Sequence, residues 1–179
     1  MQPDFKSTED QNEVGECLIP DSTIVELKEK VKKWTEPGNI GHGLLDSSPR
    51  ALKLCIFDGF LLYSDSMSAI HNYMDIKYFV QVSYAKSKAR REARSGYVLR
   101  EGFWQDPPGY FDKIVWPNYV ADHRWMFENG DVNGRVKKEV LRQSGIEAQT
   151  DKDPDVDMET TLKWAVESLM KDLANLVAE

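Results

Sequence analysis

LKLCIFDGFLLY, residues 52–63, is the stretch on which the fold turns. Leu52, Leu54, Cys55, Ile56 and Phe57 make a nearly continuous apolar run broken only by Lys53. Such a run predicts a strand buried on both faces, as in a parallel sheet covered by helices. Cys55, inside it, then acts as a small buried hydrophobe. Asp58-Gly59 ends the run, and a glycine there lets the backbone turn sharply away. A second run, IKYFVQV at 76–82, predicts another strand of the same kind. The connection around SDSMSAIHNYMD is near the lower limit for a parallel crossover, about a dozen residues. The expected class is therefore α/β, a parallel sheet flanked by helices, although two strands are too few for a self-sufficient sheet.

Working outward, residues 1–20 are polar and acidic without a period, which predicts loop or disorder. A helix follows, capped by Asp21 or Ser22, with Ile24, Leu27, Val31 and Trp34 at helical spacing and Pro37-Gly38 as its stop. GNIGHGLLDSSP, 38–49, reads as a linker. Tyr84 to Arg94 has helical propensity and positive charge, and Tyr97 to Tyr119 reads as an aromatic, proline-rich loop. Short helical stretches alternate with glycine turns over 120–145, and DKDPDVD reads as a linker. Leu162, Ala165, Val166, Leu169, Leu173 and Leu176 then form one stripe of an amphipathic helix. Trp34 and Trp164 sit on helical stripes and are expected to be packing residues.

The chain has 179 residues, a net charge of −7, 41% apolar and 30% charged residues. That suits one folded domain rather than wholesale disorder. No window approaches 18 uninterrupted apolar residues, which excludes an apolar helical span, and MQPDFKSTEDQNEVGE has neither the basic start nor the apolar stretch of a secretory signal. Cys17 and Cys55 make no disulfide framework or zinc spacing, and His42, His71 and His123 are scattered without metal spacing. A reducing intracellular compartment is the default expectation. The acidic total argues against a nucleic-acid partner, but the charge is uneven. Between Tyr84 and Arg100 six cations (Lys86, Lys88, Arg90, Arg91, Arg94, Arg100) face Glu92 alone, a net +5 that leaves −12 for the remainder. A basic patch of this kind is a candidate anion site, with a solvated helix face as the ordinary alternative.

An apolar strand ending in a carboxylate is the Walker-B arrangement, and Asp58 fits it as an acid holding Mg²⁺ directly or through water. Arg90 and Arg94 are i and i+4, so on a helix they share a face. Together with Arg91 they offer planar forks of donors that match phosphate oxygens. The aromatic segment from Trp104 to Pro117 could stack on a planar ligand, or its Phe111 and Trp116 could simply anchor the loop.

IFDGFLLY at 56–63, Tyr84 followed by Arg90, Arg91 and Arg94, and PPGYFDKIVWPNY at 107–119 occur in an order that resembles the nicotinamide riboside kinases. The fungal members are most similar, within the uridine kinase/phosphoribulokinase-like P-loop kinases. The resemblance covers roughly Lys53 to Tyr119 and is looser over 8–36, like a fungal insertion, and over the terminal helix. It implies transfer of the γ-phosphate of ATP to the 5′-hydroxyl of nicotinamide riboside, making nicotinamide mononucleotide for NAD synthesis. It implies Asp58 as the catalytic strand-end acid that holds Mg²⁺ through water, and Arg90 and Arg94 as lid arginines on the ATP phosphates, Arg94 also catalytic. Arg91 and Tyr97 are implied on the nucleoside side. Asp106 and Asp112 fall in the loop motif without a role. The implied partners are a small nucleoside and ATP, not nucleic acid or membrane, in a monomeric full kinase of the cytoplasm or also the nucleus.

The family's phosphate cradle, GxxxxGK[ST], has no counterpart in this sequence, and the cluster Gly38–Gly43 has no Lys-Ser/Thr after it. A second strand carrying an Asp pair, the family's general base, is also missing. The resemblance thus implies one partial P-loop nucleoside-kinase-like domain over 1–179, lacking the first strand, P-loop and second strand. Its parts would be a polar segment 1–20, an insertion helix and linker 21–48, the Walker-B-like strand, lid and PPGYFD loop 49–119, and C-terminal helices 120–179. Such a chain alone is expected to be inactive, marginally folded and prone to self-association. A non-catalytic remnant that binds nucleotide or a full-length paralogue, and a uridine-type nucleoside kinase, are the alternatives.

Overall fold

The computed structural model describes residues 16–44, 52–94, 96–99, 102–150 and 154–178. The expected polar segment 1–20 therefore lies mostly outside the described residues, as do residues 45–49 of the linker. The chain divides into two compact units, one spanning Leu61–Asp155 and the other Cys17–Phe60 with Val156–Glu179.

In the first unit, a 3₁₀ turn at Asp65–Met67 and the short helix α2, Ser68–His71, lead into strand β1, Lys77–Phe79. This strand is the middle of the predicted run 76–82. Its partner is a strand that periodicity does not reveal, β4 at Ile146–Ala148, paired in parallel with Lys77 opposite Ile146 and Phe79 opposite Ala148. Only three residues long, β4 starts directly after the helix α5, Lys138–Ser144, which Gly145 closes in the left-handed conformation at φ 63°. A strand so short has no alternation to read. The core behind this pair collects Tyr63, Phe79, Tyr119, Met126, Phe127, Val132, Val136, Leu141 and Ile146. Phe127 and Val136 form an antiparallel bridge, and Lys137 N–H donates to the Met126 carbonyl at 2.8 Å, closing the glycine turns between them.

The basic helix is realised as α3, Tyr84–Glu92. Ser83 caps it, its hydroxyl accepting from the Lys86 N–H at 3.2 Å. The expected loop 97–119 is largely regular structure instead. Tyr97–Leu99 (β2) and Gly102–Trp104 (β3) pair as an antiparallel hairpin. A π-helical turn at Phe111–Val115 then runs into α4, Trp116–His123, with Pro117 in the first turn, where its missing N–H costs little. Aromatic pairing explains the order here: Trp116 packs on Tyr84, Phe111 and Tyr119 with ring centroids 5.1, 5.9 and 5.0 Å away. Phe111 is buried, so both rings anchor the segment.

The second unit pairs α1, Asp21–Trp34, with the terminal helix α6, Met158–Ala178. Pro20, rather than Asp21 or Ser22, occupies the cap position, and Asp21 lies in the first turn, where its charge favours the helix dipole. Thr23 donates to Glu159 at 2.7 Å, and Lys30 pairs with Glu167, so an advance along one helix matches an advance along the other. The two helices therefore run in the same direction. Leu27, on the α1 face that carries Thr23 and Lys30, is buried, as is Leu173 farther along α6, while Leu176 at the far end of the predicted stripe is exposed. Beyond α1 the chain turns back so that Gly41 lies flat against the Trp34 indole, where a Cβ would fall 2.3 Å from the ring. Trp34 is thus a packing residue.

The largest departure concerns 52–60. These residues form no strand, and apart from the half-buried Leu52 all are exposed, Ile56 at 91%. Cys55 is exposed too, not a buried hydrophobe. The physical reason is pairing. Among the described residues the strand pairs are β1–β4 and β2–β3, and this run belongs to neither. A backbone without a ladder keeps its N–H and C=O groups in water whatever its side chains prefer. The chain is thus mixed helix and sheet with a parallel pair, of which β1 lies in a run that the sequence suggests and β4 does not.

Candidate functional site

Three residues of α3, Tyr84, Lys88 and Arg91, recur at i, i+4 and i+7 and so share one face. That face meets the segment 104–112. Arg91 Nε donates to Asp106 Oδ2 at 2.5 Å and its Nη2 to Oδ1 at 3.3 Å, a two-point grip on one carboxylate. The Trp104 indole N–H donates to the same Oδ1 at 3.0 Å. The Tyr110 ring lies 5.7 Å from the guanidinium carbon, near enough for a cation–π contact. Arg91 first, then Trp104 and the charge of Arg94, hold the Asp106 carboxyl below the usual carboxylate range against a partial burial that would raise it.

One helical turn back, Asp112 makes the second brace. Lys88 Nζ donates to it at 2.6 Å and the Tyr84 hydroxyl at 2.5 Å. The Lys88 ammonium foremost, then the Tyr84 hydroxyl, keep the Asp112 carboxyl low, and Asp112 in turn pushes the Lys88 ammonium up. At the other end of α3, Asp155 takes the Ser83 N–H at 2.9 Å and the Ser83 hydroxyl at 2.7 Å. The segment read as a plain linker thus ties down the start of the basic helix.

Arg91, Arg94, Gly96, Asp106, Pro108 and Tyr110 are among the residues lining a cavity of about 150 Å³. A cavity of that order holds one six-membered ring or one comparably small group. A larger basin of about 880 Å³, with Gln81, Arg135, Lys137, Gln149 and Thr150 in its wall, lies at the carboxyl ends of β1 and β4, and none of the sequence-predicted site residues lines it.

Of those predicted residues, Arg91 and Arg94 share the smaller cavity, whereas Arg90 is exposed on another face of α3. Arg90 and Arg94 do not share a helical face as i, i+4 spacing suggested. The helix stops at Glu92 and Arg94 follows its C-cap Ala93. The backbone of Tyr97 opens β2, and its side chain lies outside what is described. Asp58 is exposed and belongs to the second unit. No group of three or more metal-ligating side chains gathers among the described residues. His123 is buried and stacked on Tyr119 and Phe79, as a core residue rather than a ligand. The sequence places Asp106 and Asp112 in the loop motif without a role, reads Trp104 only as part of an aromatic segment, and leaves Asp155 in a linker. The available signal was an i, i+4, i+7 row of two cations and a tyrosine preceding two isolated acids of opposite sign.

No protein-family model and no solved structure matches the chain. Curated proteins do match. It is 37% identical over 120 residues to a nicotinamide riboside kinase of Schizosaccharomyces pombe, covering 67% of this chain and 48% of that protein. It is 43% identical over 96 residues to one of Eremothecium gossypii, covering 52% and 39%. Against nicotinamide riboside kinase 2 of Mus musculus it is 32% identical over 139 residues, covering 72% of this chain and 67% of the relative. The chain spans about half the length or less of the fungal relatives that it matches.

Proposed function

This chain belongs to the nicotinamide riboside kinase family, and from that premise we propose that it serves ATP-dependent phosphorylation of nicotinamide riboside to nicotinamide mononucleotide. The observation that carries the reading is the braced basic helix. A segment with the PPGYFD motif grips α3 at two carboxylates and leaves a small cavity between Arg91, Arg94 and the prolines. Phosphoryl transfer asks for positioning and for fixed positive charge around the moving group. Arg90 and Arg94, both exposed, would meet the ATP phosphates, and Arg91 with Tyr97 the nucleoside. A P-loop-type kinase fold completed by further strands belongs to the same proposal.

Mg²⁺ and ATP are part of this reading. Mg²⁺ takes one or two carboxylates together with phosphate oxygens and water, so an exposed Asp58 is sufficient in donor chemistry. Bound there, the ion would neutralise phosphate charge. The 179 residues contain no GxxxxGK[ST] string and supply no assigned base. The chain by itself is therefore expected to bind without turnover. Two measurements test this. Calorimetric titration is expected to show nicotinamide riboside bound in preference to uridine, and equal affinity would favour a uridine-type kinase instead. A coupled ADP-release assay on the same chain is expected to stay at background, and turnover comparable to the longer fungal relatives would overturn that expectation.

A further inference from the structure

We infer that Asp106, supported by Trp104, is a positioning residue that fixes the plane of Arg91 and offsets its charge, so that a cationic nucleoside is admitted beside it. The inference rests on the kinase reading and deepens it toward substrate selectivity. Nicotinamide riboside differs from ordinary nucleosides in carrying a pyridinium cation. A cavity walled by two arginines would repel such a ring. Arg91 is, however, neutralised in place by a carboxylate that holds both Nε and Nη2. A fork-to-fork pair fixes orientation as well as distance. The shared Oδ1 also takes the Trp104 indole N–H, which stops the carboxylate from rotating away. On a third side stands the Tyr110 ring.

The pair is partly buried, with 27% and 23% of the two side chains exposed, so salt screens it less than a surface pair. The long arginine side chain is thus ordered before any ligand arrives, which removes an ordering cost from binding. Arg90, one position earlier, is exposed. Two neighbouring arginines are in this way given different work. One remains a cation for phosphate, and the other becomes a directed hydrogen-bond donor with its charge cancelled.

The test compares two ligands of nearly the same shape, oxidised nicotinamide riboside, which is cationic, and its reduced dihydro form, which is neutral. Affinities are measured by calorimetry on the 179-residue chain as wild type, Asp106→Asn, Asp106→Glu and Trp104→Phe. In Asp106→Asn the oxidised form should lose about tenfold more affinity than the reduced form, the order expected for one unit of charge in a partly solvated wall. Asp106→Glu should restore most of that ratio, and Trp104→Phe should shift it slightly in the same sense as Asp106→Asn. An unchanged ratio in Asp106→Asn, or no recovery in Asp106→Glu, overturns the inference while leaving the kinase reading intact. A wild-type chain that binds neither form overturns the kinase reading, and this inference with it.

Discussion

Acidification from pH 7 to 5.5 should destabilise the first unit through one side chain, His123. Its ring is 1% exposed, with Nδ1–H donating to the Tyr119 carbonyl at 3.0 Å. Phe79 and Tyr119 cover its faces at 5.8 and 4.4 Å. Burial, foremost, lowers its pKa below the ordinary histidine value, outweighing the carbonyl contact and the charge of Asp122, which would raise it. The unfolded chain therefore takes up the proton first, and stability falls as pH drops below the unfolded value of about 6.5. For one proton the loss between pH 7 and 5.5 is at most about 1.3 kcal/mol, or about 3–5 °C in Tm for a chain of this size. The carboxylates held low, Asp106, Asp112 and Asp155, act elsewhere. Their contribution is present above the unfolded carboxylate pKa of about 4 and is lost only as pH falls below it. Urea denaturation at half-unit pH steps reads the slope, with His123→Phe as the reference that keeps the stack but cannot titrate. The variant should lack the wild-type slope in this window. An NMR titration of the His123 ring in wild type should give a midpoint below 6.5, the ordinary value, to within about half a unit. Equal slopes in the two proteins, with an unshifted ring midpoint, would refute the burial argument.

Gly96→Ala should loosen the β2–β3 hairpin. Gly96 holds φ at +123°, and an added Cβ would stand 2.2 Å from the Phe103 ring and 2.7 Å from the Trp104 carbonyl. Faster amide exchange over 97–104, with α6 unaffected, is the expected readout. Ser83→Ala removes both the cap of α3 and a partner of Asp155. It should lower stability by about 1 kcal/mol in denaturant titration, the usual worth of such a cap.

Helices were the legible part of this sequence. The stripe in α6 and the Ile24–Trp34 period in α1 mark real elements, because burying one helical face leaves a mark at 3.6-residue spacing. Strands were legible only in part, since the run 76–82 holds β1. The run 52–57 carries strand-forming side chains without a strand, while Ile146–Ala148 carries a strand without a pattern. Pairing is decided by a partner elsewhere in the chain, which composition does not record. Of the basic cluster at 84–100, Arg91 and Arg94 line one cavity, yet charge alone gave no hint that Arg91 is already engaged. Asp106 lies 15 residues away from it, and an acid at that distance looks like any other until the hairpin brings it round.

The parallel alignment of α1 and α6 has a consequence for synthesis on the ribosome. Two helices that run side by side in the same direction cannot be joined by a tight turn, and Thr23 meets Glu159 across 136 residues. At about 5–20 residues per second, α1 waits roughly 7–27 s for the helix it packs against. With 14 residues it is close to the length at which an isolated helix is only marginal in water. During that interval the α1 face that carries Leu27 has no α6 beside it, and nascent α1 is a natural landing place for a chaperone.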